Sequence, residues 1–167
     1  MISKKITLIG DFSTGKTSLI RRFVDNEFSD NYLSTIGVKI SKKIIDVEDK
    51  KVQGLIWDIE GGTDTKPINQ TYLRGVHGCI IVSDITRSET IEHLKNYINI
   101  IQSISKDIPY VLVLNKYDKI DEEKAKKIYT ELLSSLAISE DRLYFTSAKS
   151  GMGVEMVFSI LARLMLG

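Results

Sequence analysis

One cysteine, two prolines and one tryptophan in 167 residues leave a packed core as the main device for holding this chain together. The lone Cys79 excludes an internal disulfide. Its place in the apolar run Cys79-Ile80-Ile81-Val82 predicts a small core residue rather than a reactive thiol, and so little cysteine agrees with a reducing compartment. Charge of one sign is missing too. With 23 Lys and Arg against 22 Asp and Glu, the formal net charge of +1 offers no electrostatic footprint for nucleic acid. The pairs Lys4-Lys5 and Lys42-Lys43 are expected to be solvated surface. No apolar run is long enough to span a bilayer. Met1-Ile2-Ser3 leads into a charged pair rather than a signal sequence, Ile2 stands where myristoylation needs glycine, and Leu164-Met165-Leu166-Gly167 has no cysteine to prenylate. These absences predict a soluble cytoplasmic monomer with no lipid anchor in this chain, recruited to any membrane through partners or through a tail outside this sequence. With 43% apolar residues there is material for one sizeable core, so residues 1–167 are expected to form a single domain.

What is present is organised around Gly10-Asp11-Phe12-Ser13-Thr14-Gly15-Lys16-Thr17, a G-x-x-x-x-G-K-T between the apolar run Ile6 to Ile9 and the helical pattern Leu19, Ile20, Phe23, Val24. Strand, loop and helix in that order are the context a phosphate-binding loop requires. The glycines let successive N–H groups point inward, and the helix N-terminus adds its partial positive charge to the same focus. Lys16 is expected on the terminal phosphates, and the Thr17 hydroxyl in the shell of a bridging Mg²⁺.

Further along, a first helix is expected to stop at Asp25-Asn26, followed by a surface loop to Ser34. Ile36, Val38 and Ile40 alternate, Glu48-Asp49-Lys50 makes a turn, and Val52 to Asp58 forms the second arm of an antiparallel hairpin. Gly61-Gly62 marks a flexible loop, and Pro67 is placed to start a short helix ending near Gly75. Three strand-then-helix units follow. They are Cys79 to Val82 with the stripe Ile91, Leu94, Ile98, Ile101 after a capping box at Thr86-x-x-Glu89; Val111 to Leu114 with Ala125, Ile128, Leu132, Leu136; and Leu143 to Phe145 with Val154, Val157, Leu161, Leu164. Strand alternating with helix predicts a doubly wound α/β sheet, with ligands beyond the C-terminal strand ends where Gly10, Asp58, Asn115 and Ser147 should converge.

Asn115-Lys116-Tyr117-Asp118 follows the fifth strand. The Asp118 carboxylate only accepts, so it can take both the ring N–H and the exocyclic amine of guanine, whereas adenine would face it with another acceptor. Lys116 can lie along the base, and Asn115 can tie this loop to the phosphate loop.

The chain resembles a small GTPase of the Ras superfamily, and most closely the Rab branch. The matching segments are Gly10 to Thr17, Tyr32-Leu33-Ser34-Thr35-Ile36-Gly37-Val38, Trp57-Asp58 with Gly61, Tyr72-Leu73-Arg74-Gly75, Asn115-Lys116-Tyr117-Asp118 and Ser147-Ala148-Lys149. The resemblance implies a Ras-like G domain: a six-stranded, mostly parallel sheet with one antiparallel edge strand and helices on both faces. It implies a switch that binds GTP or GDP with Mg²⁺. Nucleotide contacts would come from Phe12, Ser13, Thr14, Gly15, Lys16, Thr17 and Ser18 in the loop. Others would come from Phe28, Tyr32, Thr35, Gly61, Asn115, Lys116, Asp118, Ser147, Ala148 and Lys149. Phe28 would pack on the guanine, or else serve as an ordinary hydrophobic staple. Thr17, Thr35 and Asp58 would hold the metal, Asp58 through a water. The Gly61 N–H would meet the γ-phosphate and the Ala148 N–H the guanine carbonyl. Effectors, exchange factors and activating proteins would dock on residues near 30–40 and 59–75. There Ile36, Val38 and Trp57 are either a partner surface or core, and Ile40 is expected in the core.

The resemblance breaks where Rab-like chains read W-D-T-A-G-Q-E and this one reads Trp57-Asp58-Ile59-Glu60-Gly61-Gly62-Thr63. Gly62 replaces the water-orienting glutamine, so slow hydrolysis is expected, carried by Lys16, Thr35, Gly61, Gly62 and Glu60. Glu60 brings a carboxylate that either assists near the metal or repels the γ-phosphate, and Phe12 brings a ring expected to crowd either the γ-phosphate or a partner's arginine. Two rivals stand beside this reading: a nucleotide-holding module without turnover, and an ATP-using phosphotransferase, against which Asp118 speaks.

Overall fold

The computed structural model describes residues 1–31 and 34–167, so Tyr32, one of the expected nucleotide contacts, and Leu33 lie outside the described residues. The sheet has the order β2-β3-β1-β4-β5-β6. Its strands are β1 (Ile2–Gly10), β2 (Val38–Val47), β3 (Lys50–Ile59), β4 (Gly78–Asp84), β5 (Tyr110–Asn115) and β6 (Leu143–Phe145). All neighbours pair in parallel except the edge hairpin β2–β3, where Val47 opposes Lys50 across the Glu48-Asp49 turn.

Side-chain alternation along the strands divides the core in two. Leu8, Ile56, Ile80 and Val113 point to one face, under α1 (Lys16–Asp25) and α5 (Val154–Leu166), where Phe23 stacks on Phe158 with ring centroids 4.0 Å apart. Ile9, Ile59, Ile81 and Leu112 point to the other, under α3 (Leu94–Ile104), its short forerunner α2 (Ser88–Glu92), and α4 (Glu122–Leu136). A strand covered on both faces must be apolar throughout, which is why β4 is buried along its whole length. Cys79 sits there as expected, and burial pushes its thiol up to about 12. Asn26 ends α1 in the left-handed conformation, its N–H bonded to the Arg21 and Arg22 carbonyls. Among the described residues no helix is long and apolar enough to cross a membrane.

Four sequence expectations are corrected. Pro67 starts no helix. A mutual Thr63–Lys66 backbone turn precedes it, and a single 3-10 turn, Gln70–Leu73, begins only where the Asn69 side chain accepts the Thr71 N–H, because Ile68 and Leu73 must both reach the core. The capping box at Thr86 does not form, since the Thr86 hydroxyl and N–H both go to the stronger acceptor, the Asp84 carboxylate, and α2 starts after Arg87. The stripe from Ile91 to Ile101 is divided between α2 and α3 at His93. Ile40 is 49% exposed rather than core. Lys5 and Lys43 are also less solvated than expected: the Lys5 ammonium lies 3.7 Å from the Trp57 ring centroid, and that of Lys43 5.6 Å from the Phe23 ring.

Candidate functional site

The expected convergence of strand ends occurs. Gly15 takes φ 99°, and a Cβ there would lie 2.3 Å from Asn115 Nδ2, so the loop closes on the β5 exit only because position 15 has no side chain. Asn115 Nδ2 donates to the Thr14 carbonyl (3.0 Å), and its Oδ1 accepts from the Thr146 hydroxyl (2.9 Å). One side chain thereby joins three loops. Lys116 donates to the Ser13 carbonyl (3.1 Å) and pairs with Asp84 (3.0 Å).

At the phosphate end, Lys16 is 6% exposed, with Nζ on the carbonyls of Asp11 (2.9 Å) and Gly10 (3.4 Å). Burial pulls its ammonium down to about 8, against the raising influence of Asp58 and Asp11. The Thr17 and Thr35 hydroxyls stand 2.5 Å apart and both donate to Asp58 Oδ2, at 2.7 and 3.1 Å. Burial raises the Asp58 carboxyl, while these hydroxyls and Lys16 hold it down. Its second oxygen, Oδ1, is buried with no hydrogen-bond partner among the described residues. Two hydroxyls and a carboxylate with an unmet lone pair form a hard-oxygen set that fits Mg²⁺, which takes few protein ligands and shares the rest with phosphate and water. Consistent with so sparse a set, the described residues contain no cluster of three His, Cys, Asp or Glu able to hold a metal by themselves.

Phe12, Ser13, Gly15, Lys16, Thr17, Ser18, Thr35 and Gly61 line one small cleft at this end. It adjoins a second of about 210 Å³ lined by Phe28, Asn115, Lys116, Asp118, Ala148 and Lys149, and the two share Ser13, Gly15 and Ser18. The Asp118 carboxylate accepts from the Ser147 hydroxyl (2.7 Å). Phe28 lines the second cleft while packing on the α1–α5 core. A cavity of about 400 Å³ lies beside this trough, between the loop after β3 and α3.

Glu60 is not brought to the phosphate end. Its carboxylate pairs with Lys66 (3.1 Å) and faces a different cavity, with Ile36, Pro67 and Tyr72. Gly62 is buried, its N–H donating to the Gly10 carbonyl (3.1 Å) and its carbonyl accepting from the Phe12 N–H (2.8 Å). Two arginines escaped the sequence reading. Arg22 donates to the carbonyls of Ala148 (2.8 Å) and Lys149 (2.6 Å), bracing the base-side loop from α1. Arg87 donates to those of Ser13 (3.1 Å) and Phe12 (3.0 Å), bracing the phosphate loop from outside. An arginine bonded to distant carbonyls leaves no spacing signal. Only the position of Arg87 just past a strand end pointed to the site.

Comparison with known proteins agrees with this geometry. The Ras family profile matches residues 5–167. Ras-related protein Rab-13 of Bos taurus is 38% identical over 161 residues, covering 95% of this chain and 78% of that protein. Ras-related protein Rab-8B of Homo sapiens is 37% identical over 161 residues, covering 95% and 76%. Identity at this level along nearly the whole chain, with a profile match from residue 5 to the last, places the protein in the Ras family of small GTPases, on its Rab-like side.

Proposed function

We propose that this chain is a guanine-nucleotide switch that binds GTP and GDP with Mg²⁺, turns GTP over slowly, and presents partner surfaces near residues 30–40 and 59–75. The observation that carries the reading is the trough itself, which has Lys16 and the Thr17–Thr35–Asp58 oxygens at one end and Asp118 at the other. Identifying the nucleotide that co-purifies with the protein tests it. Guanine nucleotide at near-equal molar amount is expected, and adenine nucleotide would overturn the reading.

In this account Lys16 and the inward N–H groups hold the β- and γ-phosphates, and Gly61 faces the γ-phosphate from the other loop. Thr17, Thr35 and Asp58 hold the metal, which when bound adds positive charge where the transferred phosphoryl group develops negative charge. Thr35 and Gly61 belong to different loops, so losing the γ-phosphate removes a shared tether and lets them part. Ile36 is 88% exposed, and Ile40 stands opposite Trp57 in the hairpin, with Tyr72 6.4 Å from that indole. An apolar patch that borders both loops suits an effector, exchange factor or activating protein that reads their setting. The rival without turnover draws on Gly62, which has no side chain to orient water, and on Glu60, which is occupied with Lys66. Phosphate release in a single turnover separates the two.

Two further results are expected. Thr17→Asn should weaken GTP more than GDP, because the hydroxyl matters most when the metal bridges two phosphates. Dissociation rates with and without chelator would measure this, and an unchanged GTP-to-GDP ratio would remove Thr17 from the metal shell. The second concerns pH. With the Lys16 pKa lowered to about 8, the ammonium is present below that pH and lost above it. Bound phosphate needs the ammonium, so GDP affinity should be level from pH 6 to 7.5 and fall by up to about tenfold between pH 8 and 9. Lys16→Arg keeps its charge and should flatten the profile. A flat profile in the unmodified protein would refute the buried-lysine account.

A further inference from the structure

Asp11 belongs to the phosphate loop, yet its carboxylate lines the large cavity on the other side. Oδ1 accepts from the Tyr97 hydroxyl and Oδ2 meets His93 Nδ1, each at 2.6 Å, and the side chain is only 13% exposed. His93 and Tyr97 are four residues apart at the start of α3, on one face. The hydrogen bond to Asp11 raises the His93 pKa, against burial, so the contact favours an imidazolium on a carboxylate.

The same Tyr97 hydroxyl explains Gly62. A Cβ at position 62 would lie 2.7 Å from it and 3.3 Å from the Ile68 Cγ2 methyl. Gly62 is therefore seated between the Tyr97 phenol and the phosphate loop, where it forms a parallel bridge with Asp11. The carboxylate at 11 and the missing side chain at 62 are two parts of one packing arrangement. Its contacts join the Asp11, His93 and Tyr97 side chains to one another and the Gly62 backbone to Gly10 and Phe12.

We propose that Asp11, His93 and Tyr97 form a catch that holds Gly61–Gly62 against the phosphate loop whichever guanine nucleotide is bound. The three are positioning residues, and the inference rests on the nucleotide reading above. With the catch made, the Gly61 N–H is set before GTP arrives, so GTP binding orders less of the chain. Nucleotide-dependent movement then concentrates around Thr35 and in the residues after Gly62.

Amide hydrogen exchange at Gly62 and Phe12 in the whole chain, loaded with GDP or with a non-hydrolysable GTP analogue, tests the catch. Slow exchange in both forms is expected. Tyr97→Phe, which removes one hydroxyl, should speed exchange in the GDP form by about tenfold, the worth of one hydrogen bond to a charged group. It should also weaken the GTP analogue several-fold while leaving GDP affinity nearly unchanged. His93→Ala, a second and independent variant outside the phosphate loop, should act in the same direction. Fast exchange at Gly62 in the unmodified GDP form would overturn the proposal, as would equal losses of GDP and GTP affinity in Tyr97→Phe, or no change in either. Failure to bind any guanine nucleotide would defeat the nucleotide reading instead, and the same amide comparison in the nucleotide-free chain would still decide whether the catch exists.

Discussion

Asp118→Asn is expected to exchange guanine for xanthine as the preferred base. The carboxylate sits at the mouth of the base-side cleft, steadied by the Ser147 hydroxyl at 2.7 Å, and Asn115 locks the whole loop to Thr14. A carboxylate offers only acceptors, which match the ring N–H and the amine of guanine. An asparagine offers one acceptor and one donor, which match the ring N–H and the carbonyl of xanthine. A site left with a buried unpaired polar group discriminates by about four orders of magnitude, and a reversal of that size is the expected result. Competition among GTP, XTP and ATP measures it. Equal affinity for ATP and GTP in the unmodified protein would remove Asp118 from base recognition.

Hydrolysis should respond to Gly62 only when Tyr97 changes with it. From sequence, restoring Gly62→Gln is the obvious way to raise turnover, helped by clearing Glu60 and Phe12. The seat of Gly62 under the Tyr97 hydroxyl alters that expectation, because the first carbon of a glutamine would collide with it. Gly62→Gln alone should therefore leave single-turnover hydrolysis as slow as before. Gly62→Gln with Tyr97→Phe should speed it by about a hundredfold, the scale on which an ångström of misplacement matters. A partner that supplies an arginine has a larger reach, about three to five orders of magnitude. Acceleration by Gly62→Gln alone would show that the hydroxyl is no obstacle. Brisk hydrolysis by the unmodified protein, abolished by Glu60→Ala, would assign the water to Glu60 and refute this account.

Much of the architecture was legible because local and global signals agree in it. β4 reads as a two-sided strand from its unbroken apolar run, and the phosphate loop reads from its glycines, its lysine and its flanks. Two of the misreadings, Ile40 and Pro67, share one cause. Alternation along β2 tells which residues share a face, but not which face is covered. Ile45 and Val47 lie on the face that packs with α5, and Ile40 and Ile44 on the open one, a choice made by a helix more than a hundred residues later. Pro67 failed as a helix start for a similar reason, since the burial of Ile68 and Leu73 outweighs a local preference. Asp11 passed unnoticed because nothing near it in sequence discloses that a histidine and a tyrosine more than eighty residues away will meet it.

Trp57 is the sole tryptophan of the chain, and it occupies a telling place. It lies near the end of β3, one residue from Asp58, with the Lys5 ammonium 3.7 Å from its ring centroid and Tyr72 at its side. Indole emission depends on nearby charge and on water, so a single fluorophore here is a built-in optical gauge. Its spectrum reports on the patch that a partner would cover, with no label attached and no second indole in the chain.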